Sequence, residues 1–333
     1  MKTQLQRSRI IGTGTYLPQR SLTNDELIKE MSIDTNDAWI RERTGISSRR
    51  IADKGEATSD MATAAARKAL EMAGVRPEEL DLIVVATVTP DMQFPSAAAF
   101  VQGNLGATKA ACFDVAAACA GSLYAISIAD QFIRTGSAKK VLVIGAELLT
   151  RITDWTDRAT CVLFGDAAGA MVLCAEERED RGILSTHLHT DGTQTGMLYL
   201  PGGGSKRPFS QEVLDEREMF IKMKGREVYK FAVRALESVS IEALEQNGYK
   251  TTDVTHVIAH QANLRILEGV MKRLDIPLSK CHVNIDQVGN TSSASVPLTL
   301  DQANREGKLK DGDLILMMAI GGGMSWGSAL LRW

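Results

Sequence analysis

Asp114-Val-Ala-Ala-Ala-Cys119-Ala-Gly121-Ser122-Leu-Tyr-Ala-Ile126 carries a lone thiol at the pivot of a short apolar run. The run climbs to Cys119, and Gly121 and Ser122 then open an amphipathic segment, Leu123 to Phe132, that stops near Gly136. That order predicts a buried strand, a tight turn and a helix, with the sulfur at the helix N-terminus. Unpaired backbone N–H groups and the positive end of the helix dipole converge there. Both favour thiolate, the nucleophilic form of cysteine. The bland alternative is a small hydrophobe in an alanine-rich turn.

Similar alternations lie on either side. Leu82-Ile-Val-Val-Ala-Thr, Lys140-Val-Leu-Val-Ile-Gly-Ala-Glu147 and Val254-Thr-His-Val-Ile-Ala-His260 read as buried strands. Helices are expected after the Thr23 cap, from Thr58 to Gly74, after Phe94, from Gly225 to Asn247 and after Asn263. Strands alternating with helices predict an α/β fold with a mostly parallel sheet. A charged patch, Glu176 to Arg181, marks the expected boundary between residues 1–178 and 179–333. The two halves share a repeat: Asp130-Gln131, Arg134, Gly136 and Lys139 recur as Asp301-Gln302, Arg305, Gly307 and Lys310, an offset of 171. The same offset carries Cys119 to Asn290. Gene duplication with pseudo-twofold packing would bring the two turns face to face.

Composition narrows the function. The 333 residues are 44% hydrophobic and 24% charged, with a formal net charge of -3, which argues against nucleic acid as a partner. No apolar run reaches the ~18 residues of a membrane span, and the N-terminus has no signal-like apolar region. Five cysteines with no CxxC pair suggest reduced thiols in the cytoplasm rather than disulfides or a structural zinc. Gly12-Thr-Gly14 lacks the third glycine of a dinucleotide fingerprint, so no cofactor is expected.

His260 ends a strand, where ligands of open parallel sheets gather. Taken alone it would be structural. Set beside Cys119 and Asn290, it completes a group suited to acyl chemistry: a thiolate to carry the acyl group and two N–H donors to hold an enolate oxygen.

Three segments carry a family resemblance: Asp114-Val-Ala-Ala-Ala-Cys-Ala-Gly, His260-Gln-Ala-Asn-Leu-Arg-Ile and Gly289-Asn-Thr-Ser-Ser-Ala-Ser-Val-Pro. They resemble the signatures of β-ketoacyl-acyl-carrier-protein synthase III, the initiating ketosynthases of type II fatty-acid synthesis. Elongating ketosynthases use two histidines, and thiolases a second cysteine. The resemblance implies a thiolase-like fold of two pseudo-twofold halves, layered α-β-α-β-α, in a homodimer. It implies that Cys119 takes an acyl group from acyl-CoA, and that malonyl-acyl carrier protein then decarboxylates and attacks the thioester, with His260 and Asn290 holding the enolate. The backbone N–H groups of Cys119 and Gly322 would form an oxyanion hole. Trp39 and Arg158, in Thr156-Asp-Arg-Ala-Thr, would sandwich the CoA adenine, with Asn263 near the pantetheine. Arg265, Lys272 and Arg273 would meet the acidic carrier protein. Leu123 and Ile320 would shape the acyl pocket, and Phe94 would reach into the acyl pocket of the partner subunit.

Three positions depart from the family pattern. Ser122-Leu123 and Ile320 stand where aromatic residues are common, which suggests starters longer than acetyl or branched, and Trp155 replaces a usual proline. The nearest rival is a related ketosynthase that primes a polyketide or transfers acyl groups in secondary metabolism. A non-catalytic decoy should have lost the thiol, and a hydroxymethylglutaryl-CoA-synthase-like condensation would need a carboxylate base that the sequence does not place.

Overall fold

The computed structural model describes residues 6–178 and 180–333. The first half opens with β1 (Arg7–Tyr16) and a ribbon of β2 (Arg20–Thr23) with β3 (Ser48–Ile51), which encloses α1 (Asn24–Met31) and α2 (Asp37–Thr44). Thr23 begins α1 with a reciprocal capping box to Glu26. Then come α3 (Thr58–Ala73), β4 (Leu82–Ala86), α4 (Ala97–Leu105), β5 (Ala111–Val115), α5 (Gly121–Arg134), β6 (Lys140–Glu147), the one-turn α6 (Arg158–Cys161) and β7 (Ala167–Glu176). The second half runs through β8 (Gly182–Thr190), β9 (Leu198–Tyr199), α7 (Gln211–Asp215), β10 (Lys222–Met223), α8 (Gly225–Gln246), β11 (His256–Ala259), α9 (Leu264–Leu274), α10 (Ile285–Val288), α11 (Ser295–Arg305), β12 (Leu314–Gly321) and β13 (Ser325–Arg332).

Two main sheets, ordered β1-β7-β6-β4-β5 and β11-β12-β13-β8, form beside the two-stranded β2–β3 and β9–β10 pairs. The inner strands β4, β6, β7 and β12 of the main sheets are buried on both faces, and the period of two assigns each residue to a layer. In β4, Leu82, Val84 and Ala86 face the central layer with α5 and α11, while Ile83 and Val85 face α3 and α4. In β12, Ile315, Met317 and Ala319 join the same central layer, and Leu316 and Met318 face α8 and α9. The layering is therefore α-β-α-β-α.

The sheets are mixed rather than mostly parallel. β4 runs parallel to β5 and β6, and β11 to β12, but β1–β7, β6–β7, β12–β13 and β13–β8 are antiparallel. The reason is connection length: β12 reaches β13 through Gly322–Met324 alone, too short for the helical crossover that a parallel pair needs.

The repeat is visible as matched contacts. Asp130 accepts from Ser8 Oγ at 2.6 Å and pairs with Arg134; Asp301 accepts from Thr13 Oγ1 at 2.7 Å and pairs with Arg305. Arg134 reaches the Ile183 carbonyl of β8, and Arg305 the Thr13 carbonyl of β1, so each central helix clasps the opposite half. The helices end alike, but α5 has 14 residues and α11 has 11. Their N-termini are thus offset by 174. Ala118 (φ 45°) and Ser292 (φ 49°) take the same left-handed turn three residues before each helix. The local counterpart of Cys119 is Ser293, and Asn290 lies three residues earlier.

Candidate active site

Each reactive side chain is placed by its local backbone. After β5, the left-handed Ala118 and one 3₁₀ turn, Ala118–Ala120, set Cys119 just ahead of α5. Gly321, at the end of β12, packs onto this turn so closely that a Cβ there would lie 2.5 Å from the Cys119 nitrogen. Only glycine permits that approach. His260 follows β11, its backbone N–H bonded to the Met318 carbonyl at 2.8 Å. Asn290 donates its backbone N–H to Leu163 O at 2.9 Å, and its Oδ1 accepts from Ser292 N–H at 2.9 Å. Oδ1 is therefore the anchored end of the amide, and Nδ2 the end left to donate. Cys119, His260 and Asn290 line one cavity of about 220 Å³, together with Trp39, Arg158 and Asn263.

Burial governs the charges. The Cys119 thiol is pushed up to about 12, chiefly by desolvation and less by the nearby Glu147, with the Ser292 hydroxyl acting in the opposite sense. Burial therefore works against the thiolate expected from a helix N-terminus, since Cys119 is only 7% exposed in the turn ahead of the helix, where a charge loses its water. Desolvation lowers His260 to about 3, which keeps the imidazole neutral. Neither ring nitrogen has a hydrogen-bond partner among the described residues. A neutral ring keeps one N–H to offer a substrate.

The remaining expected residues separate. Arg158 stacks on Trp39 with its guanidinium carbon 5.0 Å from the ring centroid and donates to Asp34 O. An adenine between them needs about 7 Å, two stacking distances, so Arg158 has to swing outward to admit it. The loop carrying Arg158 and Trp155 is held by Asp154, which binds Thr156 and Arg217, and by Asp157, which caps α6. Asn263 caps α9 through Arg265 N–H and donates to the Arg43 carbonyl at 3.0 Å, so both of its amide ends are engaged at the cavity wall. Arg265, Lys272 and Arg273 are exposed on α9, with Arg273 paired to Glu237.

The acyl-pocket residues Leu123 and Ile320 are not brought together. Leu123 is fully buried in the central core, on the α5 stripe with Ile126 and Ile133. Ile320 lines the Cys–His–Asn cavity, and Phe94, expected in a partner's pocket, is 84% exposed and outside both cavities of its own subunit. A second cavity of about 380 Å³ also opens on Cys119, walled by Val88, Leu149, Ile152, Phe164, Leu198 and Ile221. Gly322 lines this one, so Cys119 forms part of the wall of both. Sequence reading missed these apolar walls, which come from five separate segments. It also missed Glu147, fully buried at the end of β6 and hydrogen-bonded by Ser292 and Ser293. A charged residue ending an otherwise apolar strand was the available signal.

A layered fold of two sheets around paired central helices, with a nucleophilic-turn cysteine facing a histidine and an asparagine, defines a thiolase-fold condensing enzyme. Residues 113–192 match the family description 3-oxoacyl-[acyl-carrier-protein] synthase III, and residues 244–333 its C-terminal domain. A beta-ketoacyl-[acyl-carrier-protein] synthase III of Xanthomonas campestris is 55% identical over 98% of both chains. The crystal structure of 3-oxoacyl-[acyl-carrier-protein] synthase III from Aquifex aeolicus is 49% identical, with a TM-score of 0.91 over 98% of this chain and 100% of that one. A priming beta-ketosynthase of a polyketide biosynthetic pathway is 37% identical, also at 0.91, over 100% and 98%. The chain belongs to the β-ketoacyl-acyl-carrier-protein synthase III family of acyltransferases.

Proposed function

We propose that this chain condenses an acyl-CoA starter with malonyl-acyl carrier protein, giving a β-ketoacyl-carrier protein, CoA and CO2. The carrying observation is that Cys119, His260 and Asn290 line one cavity, with the Asn290 amide held so that Nδ2 is the free donor. Cys119 Sγ attacks the acyl-CoA carbonyl, and CoA leaves as its thiol. Malonyl thioester then enters; its carboxyl C–C bond breaks, CO2 departs, and the electron pair forms an enolate. The N–H of His260 and Nδ2–H of Asn290 hold the enolate oxygen. Its carbon attacks the acyl-Cys119 carbonyl, whose oxygen accepts from the Cys119 and Gly322 N–H groups, and the Cys119 sulfur departs as thiolate and takes up one proton from solvent, which the overall decarboxylation consumes. No cofactor is invoked in this sequence.

The second cavity suits the starter chain, because Cys119 opens onto it and its walls are apolar. That supports starters longer than acetyl. Trp39 and Arg158 suit the CoA end, and the exposed Arg265 and Lys272 an acidic carrier protein. The reading includes a cytoplasmic homodimer; no helix among the described residues is long and apolar enough to cross a membrane. Fatty-acid initiation is favoured over polyketide priming by the identities, 55% against 37%.

The test is intact-protein mass spectrometry after mixing with acetyl-, butyryl-, isobutyryl- and octanoyl-CoA, followed by malonyl-carrier protein. One adduct is expected, absent in Cys119→Ala and discharged as β-ketoacyl-carrier protein. An adduct that ignores malonyl-carrier protein would make the chain a simple acyltransferase, and a strict acetyl preference would refute the longer starter.

A further inference from the structure

Glu147 is a carboxylate with no access to water, in a network wider than its structural role requires. Its Oε2 accepts from Val88 N–H at 3.1 Å and Thr89 Oγ1 at 2.9 Å; its Oε1 accepts from Ser292 Oγ at 3.1 Å and Ser293 Oγ at 2.9 Å. Gly145 allows this: a Cβ there would sit 2.1 Å from the Ser293 carbonyl, so the Ser292–Ser293 turn lies directly on β6. The Ser292–Ala294 turn packs against the Ala118–Ala120 turn, and Ser292 and Cys119 line the same cavity. Ser292 Oγ, which donates to Glu147 Oε1, therefore links the carboxyl group to the cavity onto which Cys119 opens. The network has room for one more proton. Ser293 Oγ lies 2.8 Å from the Ala86 carbonyl as well as beside Glu147. Its single hydrogen can turn to Ala86, leaving an oxygen lone pair to accept from a protonated Glu147.

We propose that Glu147, acting through Ser292, takes up the Cys119 thiol proton as the acyl group is loaded. The Cys119 S–H proton passes to Ser292 Oγ while the Ser292 hydroxyl proton passes to Glu147. The thiolate electron pair forms the new C–S bond, the CoA sulfur leaves with its bond pair, and the proton returns along the path to the departing CoA thiolate. Total charge in the buried network stays constant throughout. That matters because each additional unpaired charge at such depth loses its hydration without compensation. Glu147 is a positioning residue in this scheme, touching no substrate, and the acyl-loading step it serves rests on the function proposed above.

Two measurements on the full chain test it. In the first, single-turnover acylation by butyryl-CoA and discharge of preformed acyl-enzyme by malonyl-carrier protein are timed separately. Glu147→Gln is expected to slow acylation by about 10²-fold, the lower end for a lost proton acceptor, while discharge changes less than threefold. Ser292→Ala should match it, since the Asn290 anchor is the Ser292 backbone, and the double variant should lose no more than either alone. In the second, alkylation by iodoacetamide reads the thiol without any acyl donor. At pH 8 the Glu147→Gln rate should fall at least tenfold below wild type, and the gap should close as pH rises and hydroxide takes over. Acylation and alkylation at wild-type rates in both variants would overturn the proposal, as would equal loss in both half-reactions. Wild type that is alkylated with the expected pH dependence but forms no acyl adduct would overturn the condensing function and leave the relay intact.

Discussion

Replacing Asn290 by aspartate separates the two halves of the reaction. The substitution keeps an oxygen where Oδ1 accepts from Ser292 N–H at 2.9 Å, so the turn that also carries Ser292 and Ser293 stays anchored. What changes is the other end of the side chain, where the Nδ2 donor becomes a carboxyl oxygen. Loss of one preorganised donor to a developing oxyanion costs about 10²–10³ in rate, or ~2.7–4 kcal/mol. If the new carboxyl is ionised it also repels the enolate, by ~4 kcal/mol for charges 4 Å apart at an effective dielectric of 20. The position is only 6% exposed, so burial opposes that ionisation. The expected result is a condensation rate at least 10²-fold below wild type at pH 8, recovering in part toward pH 6 as the carboxyl gains a proton and can donate. Acylation of Cys119, which does not use the Nδ2 donor, should stay within threefold. Rapid-quench mass spectrometry of adduct formation, and of its discharge by malonyl-carrier protein, reads both steps. Equal losses in the two steps, or condensation within threefold of wild type, would refute the assignment of Nδ2 as enolate donor.

Three further outcomes follow from the geometry. His260 titrates near 3 when folded against about 6.5 unfolded, so the unfolded chain binds the extra proton between those values; the resulting stability is complete above pH 6.5 and is lost as pH falls toward 3, at ~1.4 kcal/mol per unit. Urea unfolding at pH 7 and pH 4.5 should show this fall, and His260→Gln should remove about 3 kcal/mol of the difference; an unchanged slope would place the imidazole in contact with water. Trp39→Ala should raise KM for acyl-CoA about tenfold, with kcat little changed, since stacking of this kind contributes ~1–2 kcal/mol; an unchanged KM would make the Arg158–Trp39 pair purely structural. Gly321→Ala would press a methyl to 2.5 Å from the Cys119 nitrogen and 2.9 Å from Ala117 O, both backbone atoms that cannot move aside. Adduct formation should fall at least 10²-fold in a protein whose circular dichroism is still native, and wild-type acylation would show that the turn tolerates displacement.

The parts of the site that rest on local patterns were legible in the sequence. Cys119 was found because strand, turn and helix leave their own periodicities around it. Asn290 was reached through an offset of 171 that is valid where α5 and α11 end and invalid where they begin, because α11 starts three residues later relative to its end. Leu123 was misplaced although the signal was present: with Ile126 and Ile133 it repeats at helical spacing on the face that α5 buries. The direction of β7, β8 and β13 had no comparable signal, since parallel and antiparallel core strands share the same apolar runs. Cavity walls drawn from residues as distant as Val88 and Ile221 depend on tertiary packing alone. The burial that works against the Cys119 thiolate depends on that packing too. A dipole can be inferred from one helix, whereas desolvation is a property of everything packed around it.

The same burial bears on which group receives the thiol proton. Moving it from a thiol that burial pushes up to an imidazole that burial pushes down is uphill on both counts. That transfer also turns two neutral groups into two buried ions. Transfer to Glu147 converts a thiol and a carboxylate into a thiolate and a neutral acid, so no charge is added, and burial that raises the thiol raises its acceptor as well. His260 is then free to remain the neutral donor that an enolate requires. Burial, which works against a resting thiolate, thereby divides the labour: proton uptake falls to the carboxylate behind Cys119, and oxygen binding to the imidazole and amide in front of it.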